Sequence, residues 1–282
     1  MKNLDDKVAA ITGAGSGIGQ ALAIALAQSG CHVALSDVDK AGLAETVNLL
    51  QPYNVAVTHQ LLDVSKKKAV YEWADKVVAD HGRVNLIFNN AGVALSGTVD
   101  ALSVEDYEWI MDINFWGVVY GTKAFLPYLE QSGEGHIVNI SSVFGLTSQP
   151  LMSGYNASKF AVRGFTESLR QDLEITGSNV STTCIHPGGI KTNIAKSARM
   201  NSSVETITGM DKAASTANFE NMFIHTPESA AKTILKGVRK NARRVLIGVD
   251  ARLFDGVVRC FPTGYQWLFT KAMKWRSQST PS

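Results

Sequence analysis

Short, uninterrupted apolar runs alternate along the chain with longer segments in which apolar residues recur at helical spacing. Runs of this kind are typical of strands buried on both faces, and the longer segments are typical of amphipathic helices. The predicted strands are 8–11, 32–36, 55–58, 84–88, 136–140, 180–185 and 245–247. The predicted helices are 18–29, 40–50, 66–80, 103–130, 155–175 and 227–240.

The alternation predicts an α/β fold, with a doubly wound parallel sheet covered by helices on both faces in three layers. No linker rich in Pro, Gly or Ser interrupts it, so we expect a single domain over residues 1–249. Two regions break the rhythm: the polar segment 193–226 and the tail 250–282.

Composition narrows the function classes. The chain has 282 residues, of which 45% are hydrophobic and 18% charged, with a net charge of +2; extensive disorder and a nucleic-acid partner are not expected. The first residues lack the features of a signal peptide and no apolar stretch is long enough to span a bilayer, so a cytoplasmic location is predicted. The cysteines and histidines form no C-x-x-C, H-x-x-x-H or H-E-x-x-H pattern, so no metal site is expected.

A glycine-rich turn, residues 12–19, follows the first predicted strand and opens the first helix. Glycines let a pyrophosphate approach the backbone, and the helix N-terminus offers it free N–H groups. The strict G-x-G-x-x-G string is absent; the turn reads T-G-x-x-x-G-x-G, with a wider first spacing. A plain glycine turn is the alternative, but the position between strand and helix favours a dinucleotide.

Asp37 lies at the end of the second strand, 18 residues after Gly19. A carboxylate there can accept hydrogen bonds from an adenosine ribose and would repel a 2′-phosphate. Neighbouring Ser16 and Val38 supply no basic group to attract that phosphate. The sequence therefore favours NAD over NADP, unless Asp37 is an ordinary loop residue.

Tyr155 and Lys159 are four residues apart at the start of the fifth long helix, so their side chains share one face. A free tyrosine has a pKa near ~10, too high for acid/base work at neutral pH. A nearby ammonium lowers that pKa, which makes the pair a sensible acid/base device. Alone, the same spacing also fits an ordinary amphipathic helix.

Taken together, these motifs resemble those of the short-chain dehydrogenase/reductase family, in the family's order and spacing over residues 7–192, about two-thirds of the chain. The matching features are Thr12-Gly13-x-x-x-Gly17-x-Gly19, Asp63-Val64, Asn89-Asn90-Ala91-Gly92, Asn114, Ser141-Ser142, Tyr155-x-x-x-Lys159 and Pro187-Gly188. The resemblance implies a Rossmann-like fold and a homodimer or homotetramer.

The resemblance also implies catalytic roles. Tyr155 would exchange a proton with the substrate oxygen, and Lys159 would lower the tyrosine pKa and bind the nicotinamide ribose. Ser142 would orient the substrate oxygen, with Ser141 as the rival candidate one position away. Asn114 would hold a water in a proton relay to Lys159.

The NAD site implied by the resemblance gathers residues from most of the strand ends. Asp63 and Val64 would contact adenine, and the loop 187–192 would fix the carboxamide and pyrophosphate. The full predicted set is Gly13, Ser16, Gly17, Ile18, Gly19, Asp37, Asp63, Val64, Asn90, Ala91, Gly92, Tyr155, Lys159, Pro187, Gly188, Ile190 and Thr192.

The resemblance implies that segment 193–226, a variable region in the family, is a lid over the substrate. Its scattered apolar residues favour a hydrophobic or bulky substrate, since lids exclude water and methionines adapt to irregular shapes. A surface insertion with no bearing on substrate is the alternative. These residues are Ile194, Met200, Ile207, Met210, Phe219, Met222, Phe223 and Ile224.

The tail carries apolar residues at helical spacing before and after Pro262, ending at Trp275. Eleven Lys/Arg but only Asp250 and Asp255 as acids lie between 232 and 276. A basic, aromatic amphipathic helix can lie on an anionic membrane surface, so peripheral membrane contact through 250–276 is one hypothesis. Packing on the substrate cleft or on a neighbouring subunit is the other.

The leading hypothesis is an NAD-dependent oxidoreductase that interconverts a small-molecule secondary alcohol and its ketone. An NADPH-dependent 3-oxoacyl carrier-protein reductase is the enzymatic alternative, which Asp37 and the long tail disfavour. A dinucleotide-binding scaffold without turnover is the alternative from another class, which the complete set of Asn114, Ser142, Tyr155 and Lys159 disfavours.

Overall fold

The computed structural model describes residues 1–221 and 223–278, with side chains as far as Lys274. Met222 of the predicted lid, the Trp275 side chain and residues 279–282 lie outside the described residues. The strands are β1 (Val8–Thr12), β2 (His32–Asp37), β3 (Val57–Leu61), β4 (Leu86–Asn89), β5 (Leu95–Ser96), β6 (Gly135–Ile140), β7 (Val180–Pro187), β8 (Arg199–Met200) and β9 (Arg244–Ile247). The helices are α1 (Gly17–Ala27), α2 (Lys40–Leu50), α3 (Lys67–His81), α4 (Val104–Met111), α5 (Gly117–Gln131), α6 (Ser153–Ile175), α7 (Ser203–Thr208), α8 (Lys212–Glu220), α9 (Pro227–Arg239), α10 (Val249–Cys260) and α11 (Gly264–Gln278).

Seven parallel strands form the central sheet in the order β3-β2-β1-β4-β6-β7-β9. Helices α1, α2 and α9 cover one face, and α3, α5 and α6 cover the other. All residues of β1, β4 and β6 are buried, which explains why β1 and β4 read as nearly continuous rather than alternating apolar runs. The predicted doubly wound, three-layer α/β fold is confirmed.

The chain places β2 and β3 on one side of β1, then crosses to put β4 on the other side. The strand order therefore reverses beside β1, and the helices that follow β1 and β4 leave in opposite directions. A crevice opens at the carboxyl edge of such a sheet, where doubly wound proteins bind their ligands. The glycine-rich turn, residues 12–19, lies at this crevice.

Two elements differ from the sequence prediction. The third strand is Val57–Leu61 rather than 55–58, because this edge strand is only half-buried and no apolar run marks it. The predicted helix 103–130 is divided into α4 and α5 by a wider, π-type turn at Asp112–Trp116. Such turns insert one extra residue into a helix and occur frequently at functional sites.

The predicted lid, 193–226, contains β8, α7 and α8, which the sequence did not predict. Its start is attached to the body, since β8 pairs with β5. The Arg199 guanidinium also lies 3.7 Å from the centroid of the Trp109 ring, a cation–π contact. The end of the lid is attached by a bridge between Ile190 and His225.

The tail forms α10 and α11, which meet near Pro262 as its apolar spacing predicts. Ala251 of α10 is fully buried in the cluster that contains Tyr155. Tyr265 of α11 is also buried, and its hydroxyl accepts a hydrogen bond from the Ser148 N–H at 3.3 Å. The first part of the tail therefore packs on the body beside the predicted active site. Within the described part of the chain, no helix has the length and apolar character needed to cross a membrane.

Candidate active site

The glycine-rich turn has a backbone that suits a bound anion. Gly13 and Gly17 have φ of +65° and +55°, in the left-handed region that favours glycine. A Cβ at Gly13 would lie 2.8 Å from the Cα of Ala91. Ser16 is the N-cap of α1, but its side chain makes no capping hydrogen bond. The first N–H groups of α1 are therefore available to a ligand.

Asn90 and Ala91 brace this turn from the neighbouring strand. Their two backbone N–H groups donate to the Thr12 hydroxyl, each at 3.0 Å. The Asn90 side-chain amide donates to the carbonyls of Thr12 and Gly13 at 3.0 and 3.1 Å. The Asn90 side chain thus holds the shape of the turn.

Asp37 ends β2 beside the turn, as predicted from the sequence. Its carboxylate accepts hydrogen bonds from the N–H groups of Gly15 at 2.7 Å and Asp39 at 2.9 Å. Each carboxylate oxygen has a further lone pair, so the group can accept hydrogen bonds from a sugar while it holds the loop.

Asp63 and Val64 follow β3 at the same edge of the sheet. The Asp63 carboxylate accepts the Ser65 N–H at 2.9 Å. The Val64 side chain is buried against α3 and α5, and a Cβ at Gly117 would lie 2.8 Å from it. Val64 therefore has only its backbone to offer an adenine.

Ser142 and Tyr155 come together at the start of α6. The side chains are near enough for the Ser142 hydroxyl to favour the ionised form of the Tyr155 phenol, which lowers its pKa, and the Ser142 hydroxyl accepts the Phe144 N–H at 3.1 Å. The Ser141 hydroxyl instead donates to the Lys159 carbonyl at 2.8 Å. Of the two candidate serines, the structure places Ser142 in the site and Ser141 in the scaffold.

Lys159 lies one helical turn after Tyr155, with its Nζ 5.6 Å from the centroid of the tyrosine ring. The Nζ donates to the Ile140 carbonyl at 3.1 Å. Burial lowers the pKa of Lys159 to about 8 and raises the pKa of Tyr155 to about 12. The sequence led us to expect a tyrosine pKa lowered by the lysine; in this structure burial outweighs the lowering effect of the Ser142 hydroxyl.

Asn114 is fully buried in the π-type turn between α4 and α5. Its side-chain oxygen accepts the Val93 N–H at 2.8 Å, and its amide donates to the Val93 carbonyl at 2.9 Å and the Ser158 hydroxyl at 3.0 Å. A Cβ at Gly92 would lie 3.2 Å from the Asn114 oxygen and 3.3 Å from the Lys159 Nζ. Asn114 thus lies close to Lys159, and its side chain holds the backbone of Val93 and the hydroxyl of Ser158. The water relay from Asn114 to Lys159 stays a prediction.

The loop after β7, residues 187–192, closes the other side of the crevice. The Gly188 N–H donates to the Ile247 carbonyl of β9 at 2.9 Å, and Ile190 is buried in the core. A Cβ at Gly17 would lie 2.9 Å from the Thr192 methyl group. The loop therefore meets the N-terminus of α1, and a cavity of about 430 Å³ lies where the two approach each other.

Several residues that support the site were missed from the sequence, among them Asn139 and Thr166 beside the motif residue Asn89. Asn89 donates to Asn139 at 2.8 Å, and Asn139 donates to Thr166 at 2.9 Å, which joins β4, β6 and α6 by a buried polar chain. Asp250 and His225 touch the loop 187–192. The position of Asp250 just beyond the last strand, at the carboxyl edge, was the available signal.

An apolar wall, part of the hydrophobic cluster that contains Tyr155, lies beside the predicted active site. It combines the segment after β6, the lid and the tail, which lie far apart in the sequence. Phe144 meets the Tyr155 ring edge to face, with centroids 6.0 Å apart. The wall consists of Val143, Phe144, Met152, Ile194, Ala198, Phe219, Ala251 and Phe254.

These features define a class: an α/β protein with a dinucleotide-type glycine turn and a Ser–Tyr–Lys group at the same edge of the sheet. The residues fit a dinucleotide because the helix N-terminus is uncapped, the turn is backed closely by Ala91 and Thr192, and Asp37 has free lone pairs. No group of three or more His, Cys, Asp or Glu that could bind a metal occurs in the described part of the chain.

Comparison with known proteins agrees with this class. The family model for short chain dehydrogenases matches residues 7–203. The chain is 49% identical over 269 residues to the proposed oxidoreductase SadH of Mycobacterium tuberculosis, covering 95% of both chains.

Solved structures give the same result. A short chain dehydrogenase/reductase from Burkholderia phymatum in complex with NAD has a TM-score of 0.84 and 31% identity, covering 94% of this chain and 97% of that chain. An alcohol dehydrogenase from Thermococcus sibiricus complexed with 5-hydroxy-NADP has a TM-score of 0.70 and 29% identity, covering 86% and 95%. The chain therefore belongs to the short chain dehydrogenase family and is an oxidoreductase, which points to a nicotinamide dinucleotide as its cofactor.

Proposed function

We propose that the protein is an NAD-dependent dehydrogenase/reductase that interconverts a hydrophobic secondary alcohol and its ketone, with Tyr155 as the acid/base. The observation that carries this proposal is the convergence of Ser142, Tyr155 and Lys159, with Lys159 one turn after Tyr155, at the sheet edge that holds the uncapped glycine turn. Asn114 and the residues predicted to hold the cofactor are part of the same proposal.

When bound, the nicotinamide accepts or donates the hydride. In oxidation, the phenolate of Tyr155 takes the proton of the substrate hydroxyl; in reduction, the phenol returns it. Ser142 holds the substrate oxygen beside the phenol. In reduction its hydroxyl and that of Tyr155 both donate to the oxygen on which negative charge develops. Lys159 stabilises the phenolate of Tyr155 when the lysine side chain is protonated and carries its positive charge.

Asp37 supports NAD as the preferred form of the cofactor. Its carboxylate would accept hydrogen bonds from the adenosine ribose and would repel a 2′-phosphate at the same place. Comparison alone leaves this choice open, because similar structures were solved with NAD and with an NADP derivative.

The apolar wall around Tyr155 supports a hydrophobic substrate. Three separate segments contribute side chains to it, including Phe219 of the lid and Phe254 of the tail. Apolar side chains contributed from a lid and a tail favour a ligand with an apolar body next to its reacting carbon. We infer that the tail up to Phe254 acts with the region 1–249 as one catalytic unit.

A series of secondary alcohols of increasing chain length, assayed with NAD at the nicotinamide absorbance band, tests this proposal. We expect kcat/KM to rise from propan-2-ol to longer and cyclic alcohols. Phe254→Ala should lower kcat/KM for the long alcohols about tenfold, since burying an aromatic side chain contributes roughly 1.5–3 kcal/mol. The same variant should leave kcat/KM for the shortest alcohols nearly unchanged.

Leu253→Ala is the matched control, because Leu253 precedes Phe254 in α10 and is 63% exposed. A kcat/KM that peaks at propan-2-ol or butan-2-ol would contradict the hydrophobic substrate. Turnover of 3-oxoacyl carrier-protein with NADPH, and of none of the alcohols, would favour the reductase alternative. Binding of NADH without turnover of any alcohol or ketone would favour the scaffold.

Peripheral membrane contact through 250–276 is proposed as a second property. The two acids of the tail face the body: Asp250 accepts from the Gly189 N–H, and Asp255 pairs with Arg244. Exposed Trp267 and Leu268 remain on the outer surface, with the Lys271 Nζ 4.9 Å from the Trp267 ring centroid. Cations and aromatic residues together suit an anionic lipid surface.

Flotation with anionic vesicles tests this contact. The full chain should float with anionic vesicles and much less with zwitterionic ones, and the double variant Trp267→Ser, Leu268→Ser should stay at the bottom. Ile175→Ser, at a residue 83% exposed at the end of α6, is the control and should float. Equal flotation of the double variant and the full chain would refute the contact. The homodimer or homotetramer implied by the family stays a prediction.

A further inference from the structure

Two segments that are distant in the sequence from the loop 187–192 converge on it. They are the stretch from the end of β9 into the first turn of α10, and the last residues of the lid. The Asp250 carboxylate of α10 accepts the Gly189 N–H at 2.7 Å. The tail is therefore bonded directly to the backbone of the loop that we propose holds the nicotinamide.

His225 joins the lid to the same loop. Its N–H donates to the Gly189 carbonyl at 3.1 Å, and its carbonyl accepts the Lys191 N–H at 2.9 Å. Its Nε2 lies 3.4 Å from the Asp250 Oδ1. Both of these atoms are buried, and neither makes a hydrogen bond to a described group. Their contact at 3.4 Å joins the side chain of His225 in the lid to the carboxylate of Asp250 in the tail.

The backbone around the Asp250 carboxylate leaves no room for side chains. A Cβ at Gly188 would collide with this carboxylate, and a Cβ at Gly248 would collide with both Asp250 and His225. Gly248 also has φ of +102°, which L side chains rarely adopt. The loop and the turn before α10 are thus shaped closely around one carboxylate.

We propose that Asp250 is a positioning residue for cofactor binding: it fixes the loop 187–192 through Gly189 and, with His225, links the tail and the lid to it. The inference rests on the proposed function. An N–H held by a carboxylate makes a charge-assisted hydrogen bond, stronger than a neutral one. A loop ordered in advance does not have to be ordered when the ligand binds, which preserves affinity.

A comparison of three variants tests this role. Asp250→Ala removes the acceptor, whereas Asp250→Asn keeps an oxygen that can accept from Gly189. Asp255→Ala is the matched control, because Asp255 holds the same helix to the body through a two-pronged pair with Arg244, both N–O distances 3.1 Å, and touches no residue of the loop.

The readouts are the Kd for NADH from its fluorescence, KM and kcat with a reactive alcohol, and the melting temperature. We expect Asp250→Ala to raise the Kd and the KM for the cofactor about tenfold with a smaller change in kcat. Asp250→Asn should bind NADH with an affinity much closer to that of the wild type than Asp250→Ala does. Asp255→Ala should leave the Kd at the wild-type value even where it lowers the melting temperature.

Equal increases in Kd for Asp250→Ala and Asp255→Ala would show that only tail docking matters, and would overturn the role of Asp250. An unchanged Kd in both Asp250 variants would overturn it as well. Failure of the wild-type protein to bind NADH would instead reject the proposed function, so the two failures are distinguishable.

Discussion

Replacing Tyr155 with Phe is expected to lower turnover about 10²–10⁴-fold, the usual contribution of a positioned acid/base. The substitution removes one oxygen and keeps the ring, which packs edge to face on Phe144. NADH affinity should therefore stay close to that of the wild type. Steady-state rates in both directions and NADH fluorescence titration measure the two effects.

Tyr107→Phe is the matched control, since the Tyr107 hydroxyl bonds to Ser153 at 2.7 Å, outside the Ser142–Tyr155 pair. It should keep most of the activity. Because burial raises the pKa of Tyr155 to about 12, the phenol stays protonated at neutral pH. Alcohol oxidation should then accelerate as pH rises through the alkaline range, because the phenolate fraction grows, while ketone reduction should stay nearly constant until the pH approaches this pKa. Wild-type activity in Tyr155→Phe would remove Tyr155 from the mechanism.

Replacing Asp37 with Asn is expected to reduce the preference for NAD over NADP about 10- to 100-fold. The substitution removes the negative charge that repels the 2′-phosphate of NADP. It also removes charged hydrogen bonds to the ribose of NAD, and each such bond contributes roughly 1.5–3 kcal/mol. Asparagine keeps one acceptor oxygen for the Gly15 N–H, so the turn should hold its shape. The measurement is kcat/KM for NAD and NADP with one alcohol.

Asp39→Asn removes the same charge two residues away, where the carboxylate caps α2 by accepting the Ala41 N–H at 3.0 Å. It should leave the NAD/NADP ratio near the wild-type value. A wild-type protein that prefers NADP would contradict the role given to Asp37. If Asp37→Asn and Asp39→Asn changed the NAD/NADP ratio equally, the effect would come from surface charge in general and not from Asp37 itself.

The central sheet was predictable because burial on both faces makes parallel strands read as apolar runs. β1 and β4 follow this rule up to their last residue, whereas β6 is equally buried but includes the polar residues His136 and Asn139. The edge strand β3 does not, since it is half exposed and was predicted too early in the chain. The short pair β5 and β8 was also missed, because each strand has only two residues and is too short to show a periodic pattern.

The candidate site was predictable where its residues lie close together in the sequence or at strand ends. Tyr155 and Lys159 share a helix face, and Asp37 ends a strand. The choice of Ser142 over Ser141 needed coordinates, because only these show that the Ser141 hydroxyl donates to the Lys159 carbonyl.

Contacts between distant segments could not be read from spacing. Asp250 meets Gly189 across 61 positions of the chain, and Phe254 reaches the wall around Tyr155 from the tail. Burial likewise decided the tyrosine pKa, whereas the sequence suggested only the neighbouring lysine. Such effects depend on what surrounds a side chain in three dimensions.

The wider turn at Asp112–Trp116 joins two helices, α4 and α5, that pack on different neighbours. α4 packs on α6, whereas α5 packs on α3. Deleting one residue within this turn would convert it to a regular α-helical turn, while α4 and α5 keep the faces that they present to α6 and α3. The backbone at Asn114 would shift, and its side chain would lose the geometry that now bonds both backbone groups of Val93. The extra residue therefore serves the placement of Asn114, although the long helical stretch looks uniform in the sequence.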